Sequence, residues 1–306
     1  MLFRSPKRER VIGRRASYHG ATLGALAVTG NARRREPYLP LLGGFAEHIA
    51  PCFCHHCELN LRFPECELAC AEELGRAIER LGPQTVAAFI AEPVVGASSG
   101  AVPVPGYFRR IREICDRYGV LLIADEIMTG CGRTGTYFAM EQEGVAADLV
   151  LLGKGLTSGY APLGAVLASR EFCDGIARSS GPLQHGFTYQ SHPPSLAAGL
   201  AVQRYMDKHG LVEQACLRGR YLAQGLETLR KYSAVSDVRG RGLLQSVELN
   251  PAGQPDLVAS LTARLRQRGV LIYRMPAHFL LAPPFIISEP EIDFLVSEIA
   301  LALEAS

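Results

Sequence analysis

No segment of this sequence stays apolar for the roughly 18 residues that a bilayer crossing needs, so a membrane-spanning role has no support. The opening residues, MLFRSPKRERVIGRR, lack the apolar stretch of a secretory leader and are not read as a signal peptide. An excess of charge is missing too. Thirty-two basic and 30 acidic side chains leave a formal net charge of +2, which gives no whole-chain case for nucleic acid or for an acidic membrane surface. The one basic run, Arg33-Arg34-Arg35, reads as a solvated loop. There is no internal repeat and no low-complexity tract. Cysteine is not scarce, but its nine copies are an odd number scattered through a large chain, which favours a reducing cytoplasm over a disulfide scaffold.

What is present is enough apolar residue for a large core. At 306 residues and 48% hydrophobic, the chain can bury one large core, or one core and a smaller domain. Two runs stand out. Val120–Ala124 is wholly apolar and ends in Asp125-Glu126; Leu149–Leu152 is apolar and ends in Gly153-Lys154-Gly155. Unbroken runs of this length predict strands covered on both faces, as in a parallel sheet wrapped by helices. Val86–Ala91 is a similar run and delivers Glu92-Pro93; Arg10–Ala16 and Val166–Ala168 read as further strand pieces.

Helical periodicity is expected over Ala21–Val28, Cys66–Leu81, Tyr107–Tyr118, Ser191–Lys208 and Leu211–Tyr232. Pro37–Pro64 reads as a long surface excursion. Beyond residue 232 the pattern changes to strands at Val235–Val238, Leu243–Leu249, Val270–Tyr273 and Phe279–Ala282, with helices at Leu257–Arg268 and Glu289–Leu303. The fold class expected is α/β: a mostly parallel central sheet wrapped by helices over residues 1–208, and a smaller C-terminal α+β domain over 209–306.

Ligands in open α/β sheets bind beyond the carboxyl ends of the strands, so Asp125 and Lys154 are expected to face one crevice. A lysine set between glycines at a strand end, with a carboxylate nearby, suits a cofactor that needs both a Schiff base and a cationic ring nitrogen, namely pyridoxal phosphate. Desolvation would lower the lysine's pKa and free its amine, while the carboxylate would keep the pyridine protonated. The plainer readings are a lysine snorkelling from a strand end and an aspartate opening a turn. Gly130-Cys131-Gly132-Arg133-Thr134-Gly135 spells a G-x-G-x-x-G after a strand. A dinucleotide site is disfavoured there, because two acids precede the glycines and Asp148, the acid that should bind the ribose, starts a strand instead of ending one.

Cys52, Cys54, Cys57, Cys66 and Cys70, with His55 and His56, raise a zinc site. Their spacings are not two evenly separated ligand pairs, so cysteines packed as small residues are preferred. Tyr18 and His19 precede a glycine, where an aromatic could stack on a flat cofactor or pack in the core; Thr188 beside Gly186 could bond a phosphate.

Taken together, the stretches SYHGATLGAL (17–26), AEPVVG (91–96), LIADEIMTGCGRTG (122–135), LLGKGLTSGYAPLGA (151–165), FTYQSHPPSLAAGLA (187–201), VRGRGLL (238–244) and APPFII (282–287) resemble the class III, or ω-type, aminotransferases. These are pyridoxal-phosphate enzymes of fold type I, and the resemblance covers nearly the whole chain. It implies that Lys154 is the Schiff-base lysine and proton shuttle, and that Asp125 is the ring-nitrogen partner. Ile127 would pack on one ring face and Tyr18 on the other, with Glu92 as the active-site carboxylate of the Glu-Pro pair. Thr188 would bond the cofactor phosphate of a neighbouring subunit, which implies a homodimer with shared sites. Arg274 would receive a substrate carboxylate, and Met128 stands at a variable position near the cofactor.

The implied function is transfer of an amino group from an amine or amino acid donor to a keto acid. The alternatives are a decarboxylase, racemase or aminomutase on the same fold, or a non-catalytic remnant. Members of the family normally carry a longer segment before the Tyr-His-Gly motif, including a turn that opens a helix at the cofactor phosphate. The resemblance therefore implies a chain truncated at its N-terminus: a fragment, a mis-assigned start, or a decayed enzyme.

Overall fold

Short apolar runs closed by turn residues become the strands of two sheets. The structure, a computed structural model, describes residues 7–96, 100–181, 183–250 and 256–304. The strands of the first sheet are β1 (Arg10–Arg14), β2 (Ala46–Ile49), β3 (Val86–Ala91), β4 (Leu121–Asp125), β5 (Leu149–Leu152) and β6 (Ala165–Ala168). Their spatial order is β2-β1-β3-β4-β5-β6. Every pairing from β2 to β5 is parallel, and β6 alone runs antiparallel, against β5. The second sheet, antiparallel throughout, holds β7 (Val235–Arg241), β8 (Leu244–Leu249), β9 (Tyr273–Arg274) and β10 (His278–Leu281) in the order β7-β8-β10-β9. Sequence and structure agree on the α/β class with a parallel central sheet and a second, antiparallel sheet.

The helices are α1 (Leu23–Val28), α2 (Ala32–Arg35), α3 (Ala69–Leu81), α4 (Tyr107–Tyr118) and α5 (Arg170–Ser180). They continue with α6 (Pro193–Lys208), α7 (Leu211–Glu227), α8 (Leu257–Gln267) and α9 (Glu289–Glu304). None of those described is long and apolar enough to cross a membrane. One apolar core joins the central strands to α3 and α4 through Phe89, Leu122, Leu74, Ile78, Ile111 and Ile114. A second joins the antiparallel sheet to α7, α8 and α9 through Val247, Phe279, Leu222, Leu226, Leu261 and Ile299.

Several expectations shift for identifiable reasons. The helix predicted from Cys66 begins at Ala69, because Glu67 and Leu68 hold positive φ angles of 47° and 59°. The Pro37–Pro64 excursion contains β2, a four-residue strand with a single buried side chain, too weakly patterned to be read. Helix α5 was not anticipated; Ser169 starts it by accepting a hydrogen bond from the Phe172 amide at 3.1 Å. Coverage on both faces suits β3, but β5 is only half-buried, and β6 leaves Val166 65% and Leu167 42% exposed. β6 is the outer strand of its sheet among the described residues, and only β5 flanks it.

The glycine-rich loop at 130–135 packs where the two cores meet. The Leu243 amide donates to the Arg133 carbonyl at 3.0 Å, and the Arg133 guanidinium donates to the Pro283 carbonyl at 2.6 Å. A β-carbon on Gly135 would meet Cys216 of α7, and one on Gly132 would meet Val212 and Phe285. The tightest point is Gly242, at φ +57°, where an added β-carbon would fall 2.4 Å from the Thr134 carbonyl carbon. Gly242→Ala is therefore expected to cost about 3 kcal/mol, from left-handed strain plus displaced backbone. Gly144→Ala is the control: its φ is +64° with nothing within 4 Å. It should cost only about 1 kcal/mol. Denaturant unfolding of both variants checks this, and equal losses would show that the junction yields.

Candidate active site

Parallel pairing puts the carboxyl ends of β1, β3, β4 and β5 along one edge of the sheet. The registers Ala91↔Ala124 and Asp125↔Leu151 bring the ends of β3, β4 and β5 level. Each strand then delivers its chemistry to the same side. Tyr18 and His19 follow β1, Glu92 follows β3, Asp125 is the last residue of β4, and Lys154 lies just beyond β5. These residues, with Gly20, Ile127 and Met128, line a cavity of about 180 Å³.

Asp125 is 3% exposed, and both its oxygens are held. His19 donates from Nδ1 to Oδ2 at 2.7 Å, and the Ile127 amide donates to Oδ1 at 3.1 Å. Because a carboxylate only accepts, the proton of this pair lies on His19 Nδ1. His19 is itself fixed, since its backbone amide donates to Thr29 Oγ1 at 2.9 Å. Its Nε2 is buried without a partner.

Glu92 is buried beside this pair and accepts from the amides of Tyr18 at 3.0 Å and Gly96 at 3.1 Å. Burial pushes its carboxyl above the usual range, and the nearby His19, the Tyr18 amide and Arg14 oppose that rise. Arg14, also buried, donates to the Glu92 carbonyl and lies 5.9 Å from the ring centroids of Tyr107 and Phe108. Glu126, next to Asp125, turns the other way. It accepts from Thr129 Oγ1 and from the Met140 amide, so it braces the loop instead of facing the cavity.

Lys154 opens a short 3₁₀ turn at a φ of +37°, a left-handed conformation that a non-glycine residue adopts only where its surroundings enforce it. Burial of its amine pulls the pKa below the ordinary lysine range, and the charges of Asp125 and Glu92 offset this in part. Lys154 lines two cavities: the one it shares with Asp125, and a larger open groove of about 900 Å³ bounded by Arg133, Ser158, Tyr160, Tyr205 and Phe285. It is the joint between them. Tyr18 is half-buried, and the Arg34 guanidinium lies 4.6 Å from its ring centroid.

The structure thus gathers Lys154, Asp125, Glu92, Tyr18, Ile127 and Met128, and leaves two of the sequence-predicted residues elsewhere. Thr188 sits in an exposed turn closed by the Gln190 amide on the Phe187 carbonyl, outside the lining of the Lys154 cavity. Arg274 is exposed on β9, the outer strand of the second sheet, and lines a separate cavity of about 300 Å³ with Arg33, Asp256 and Met275. His19 is the functional residue that sequence reasoning passed over in favour of Tyr18. Its signal was its place in the Ser-Tyr-His-Gly run, but nothing local to that run shows that it meets a strand 106 residues away.

The cavity residues fit pyridoxal phosphate. A buried, doubly held carboxylate suits a protonated ring nitrogen, the flanking Tyr18 and Ile127 suit a flat ring, and a partly desolvated lysine suits the aldehyde.

Comparison with known proteins agrees with this chemistry. The class-III aminotransferase family matches residues 2–303. An uncharacterized aminotransferase of Schizosaccharomyces pombe is 38% identical, over 98% of this chain and 70% of its own length. An (S)-enantioselective omega-transaminase from Thermomicrobium roseum superposes with a TM-score of 0.93 at 38% identity, over 99% of this chain and 69% of that one. An omega transaminase from Pseudomonas jessenii, solved in complex with PMP, also gives 0.93, at 32% identity, over 99% of this chain and 70% of that one. The chain therefore spans about 70% of these relatives' length. On these grounds the chain belongs to the class-III aminotransferases, a family of pyridoxal-phosphate enzymes.

Proposed function

We propose that this chain carries the active site of a transaminase, moving an amino group from an amine or amino acid donor to a keto acid. The observation that carries the proposal is the convergence of Lys154 and the doubly held Asp125 on one cavity at the carboxyl edge of the parallel strands. When bound, pyridoxal phosphate supplies a carbonyl that amines attack and a ring that accepts the electron pair left when a substrate carbon loses its proton.

The chain's own residues do the rest. Lys154 would hold the cofactor through Nζ and, once free, take a proton from the substrate carbon and return it elsewhere; its burial-lowered pKa keeps the amine neutral enough to act as base. Asp125 keeps a proton on the ring nitrogen, and His19 and the Ile127 amide fix the carboxylate in place. Tyr18 and Ile127, which line the cavity, would hold the ring, and Glu92 ties the Tyr18 loop to the edge of the site.

Thr188, in an exposed turn that follows Gly186, is proposed for the cofactor phosphate of a second subunit, in a homodimer with shared sites. Arg274 is left out, because it lines a different cavity. The scattered, unpaired cysteines support a cytoplasmic location.

Supplying the chain with pyridoxal phosphate, an amine donor and a keto acid should yield the corresponding amino acid. Borohydride reduction should leave a pyridoxyl group on Lys154 by peptide mapping. Lys154→Ala should lose both the adduct and at least about 10²–10⁴-fold in turnover. Turnover that survives in that variant would sink the assignment. Donor consumption that needs no keto acid would favour the decarboxylase, racemase or aminomutase alternative.

The lowered pKa of Lys154 gives a separate expectation for the cofactor-free chain. Lys154 is one of four lysines, with Lys7, Lys208 and Lys231. Near neutral pH a limiting amine-acylating reagent should label it first. The Asp125 charge raises the Lys154 pKa, so Asp125→Asn should move the labelling profile of Lys154 to still lower pH. Mass mapping against pH checks this, and a shift to higher pH would show that Asp125 does not act on Lys154.

A further inference from the structure

Away from the catalytic edge, a second cluster joins the excursion after β2 to the antiparallel sheet. His55 and His56 form a short 3₁₀ turn over β8, where His55 Nε2 lies 3.7 Å from Glu248 Oε1 and His56 Nε2 bonds that same oxygen. One donor atom from each of these three residues lies within 4.8 Å of the other two. Among the described residues no set of cysteines meets that criterion. The other Glu248 oxygen is taken by Arg239 at 2.7 Å, so one carboxylate oxygen is left to face both imidazoles.

Independent features point to a ligand there. His278 stands directly opposite Glu248 in the β8–β10 ladder, hence on the same face of the sheet. Its side chain is 5% exposed, and its Nε2 is buried without any partner. A buried ring nitrogen without a partner is costly unless something it can bind comes near. The local charge is also right. Arg230 and Arg239 are shared among Glu227, Asp237 and Glu248, two guanidiniums against three carboxylates, so the cluster as a whole keeps a negative charge. Access is open on the histidine side, since the His56 side chain is 58% exposed, while the Glu248 side chain is 6% exposed. The Phe53 ring walls the turn, with its centroid 5.2 Å from that of His56.

We infer that His55, His56 and Glu248 bind a divalent zinc-type ion, with His278 as a fourth ligand or an orienting neighbour. Two imidazoles and one carboxylate are a zinc-type donor set; calcium and magnesium prefer oxygen alone. Reaching a tetrahedral site needs the His55–His56 turn to shift by about 1.5 Å, bringing in the widest donor separation of 4.8 Å while opening the His56–Glu248 contact to let the ion between them. The ion would clip the β2–α3 connection to the second sheet. The ligands from the cysteine-rich run are thereby its two histidines and not its cysteines, whose spacing disfavoured zinc. Cys52 and Cys70 instead line a small cavity that includes Leu59, Leu61 and Leu68.

The test uses the whole chain, stripped with chelator and then titrated with Zn²⁺ by calorimetry and with Co²⁺ by absorption. One ion per chain is expected, with Co²⁺ showing ligand-field bands and no thiolate charge-transfer band. His56→Ala, an exposed position that should not disturb folding, is expected to weaken binding roughly 100-fold, and His278→Ala about 10-fold. A Cys54→Ser, Cys57→Ser double variant should bind as the parent does. Zn²⁺ should raise the thermal midpoint of the parent but not of His56→Ala. The proposal is overturned if uptake does not saturate, if it is indifferent to His56→Ala, or if it disappears in the cysteine double variant.

Discussion

The parallel register of β1, β3, β4 and β5 is the constraint on which the site depends. A parallel strand ends where its neighbours end, so residues far apart in sequence are set side by side without direct contacts to draw them together. Glu92, Asp125 and Lys154 each sit within two residues of a strand end, and the registers at Ala91↔Ala124 and Asp125↔Leu151 make those ends level. A slip of one residue in β4 would turn Asp125 to the opposite face and empty the cavity of its carboxylate. The apolar core beneath, with Phe89 and Leu122 against α3 and α4, holds that register and so holds the chemistry.

Given the register, the electrostatics follow from burial and from who shares the cavity. Asp125 keeps its orientation through His19 and the Ile127 amide, leaving its outward lone pairs free for a cationic ring nitrogen. Burial pushes the Glu92 carboxyl above its usual range and pulls the Lys154 amine below its own, so desolvation favours the neutral form of each. The two effects are coupled in a useful sense. Were both carboxylates fully charged and close, they would hold Lys154 protonated. Raising the pKa of Glu92 weakens that hold, and of the two carboxylates Asp125 acts on Lys154 more strongly.

How much of this was legible in the sequence differs by element. The strands that carry the site were readable, because runs such as VAAFIA and LVLL have few other stable fates. Asp125 and Lys154 were readable for the same reason: a charged residue at the end of an apolar run has to be explained. β2 and α5 were not readable, since the first is four residues with one buried side chain and the second depends on a single serine cap. His19 could be seen but not assigned, because its meaning lies in a contact across 106 residues. Arg274 is the reverse case: its role came from resemblance, while its position on an outer strand follows from the pairing of β9 with β10 alone among the described residues.

Motifs that are spelled correctly can still serve other physics, and the loop at 130–135 makes the case. Its glycines match a phosphate-binding pattern, yet the space a ligand would need is filled by Cys216, Val212 and Phe285. Glycine is required there because two backbones approach within contact of each other, as they do again at Gly219 and Gly242. The cysteine-rich excursion reads the same way. Its thiols line a small cavity, while the two histidines between them are turned outward to a buried carboxylate of another sheet. In both places the composition announces a function, and the partner across the interface decides which side chains are placed to perform it.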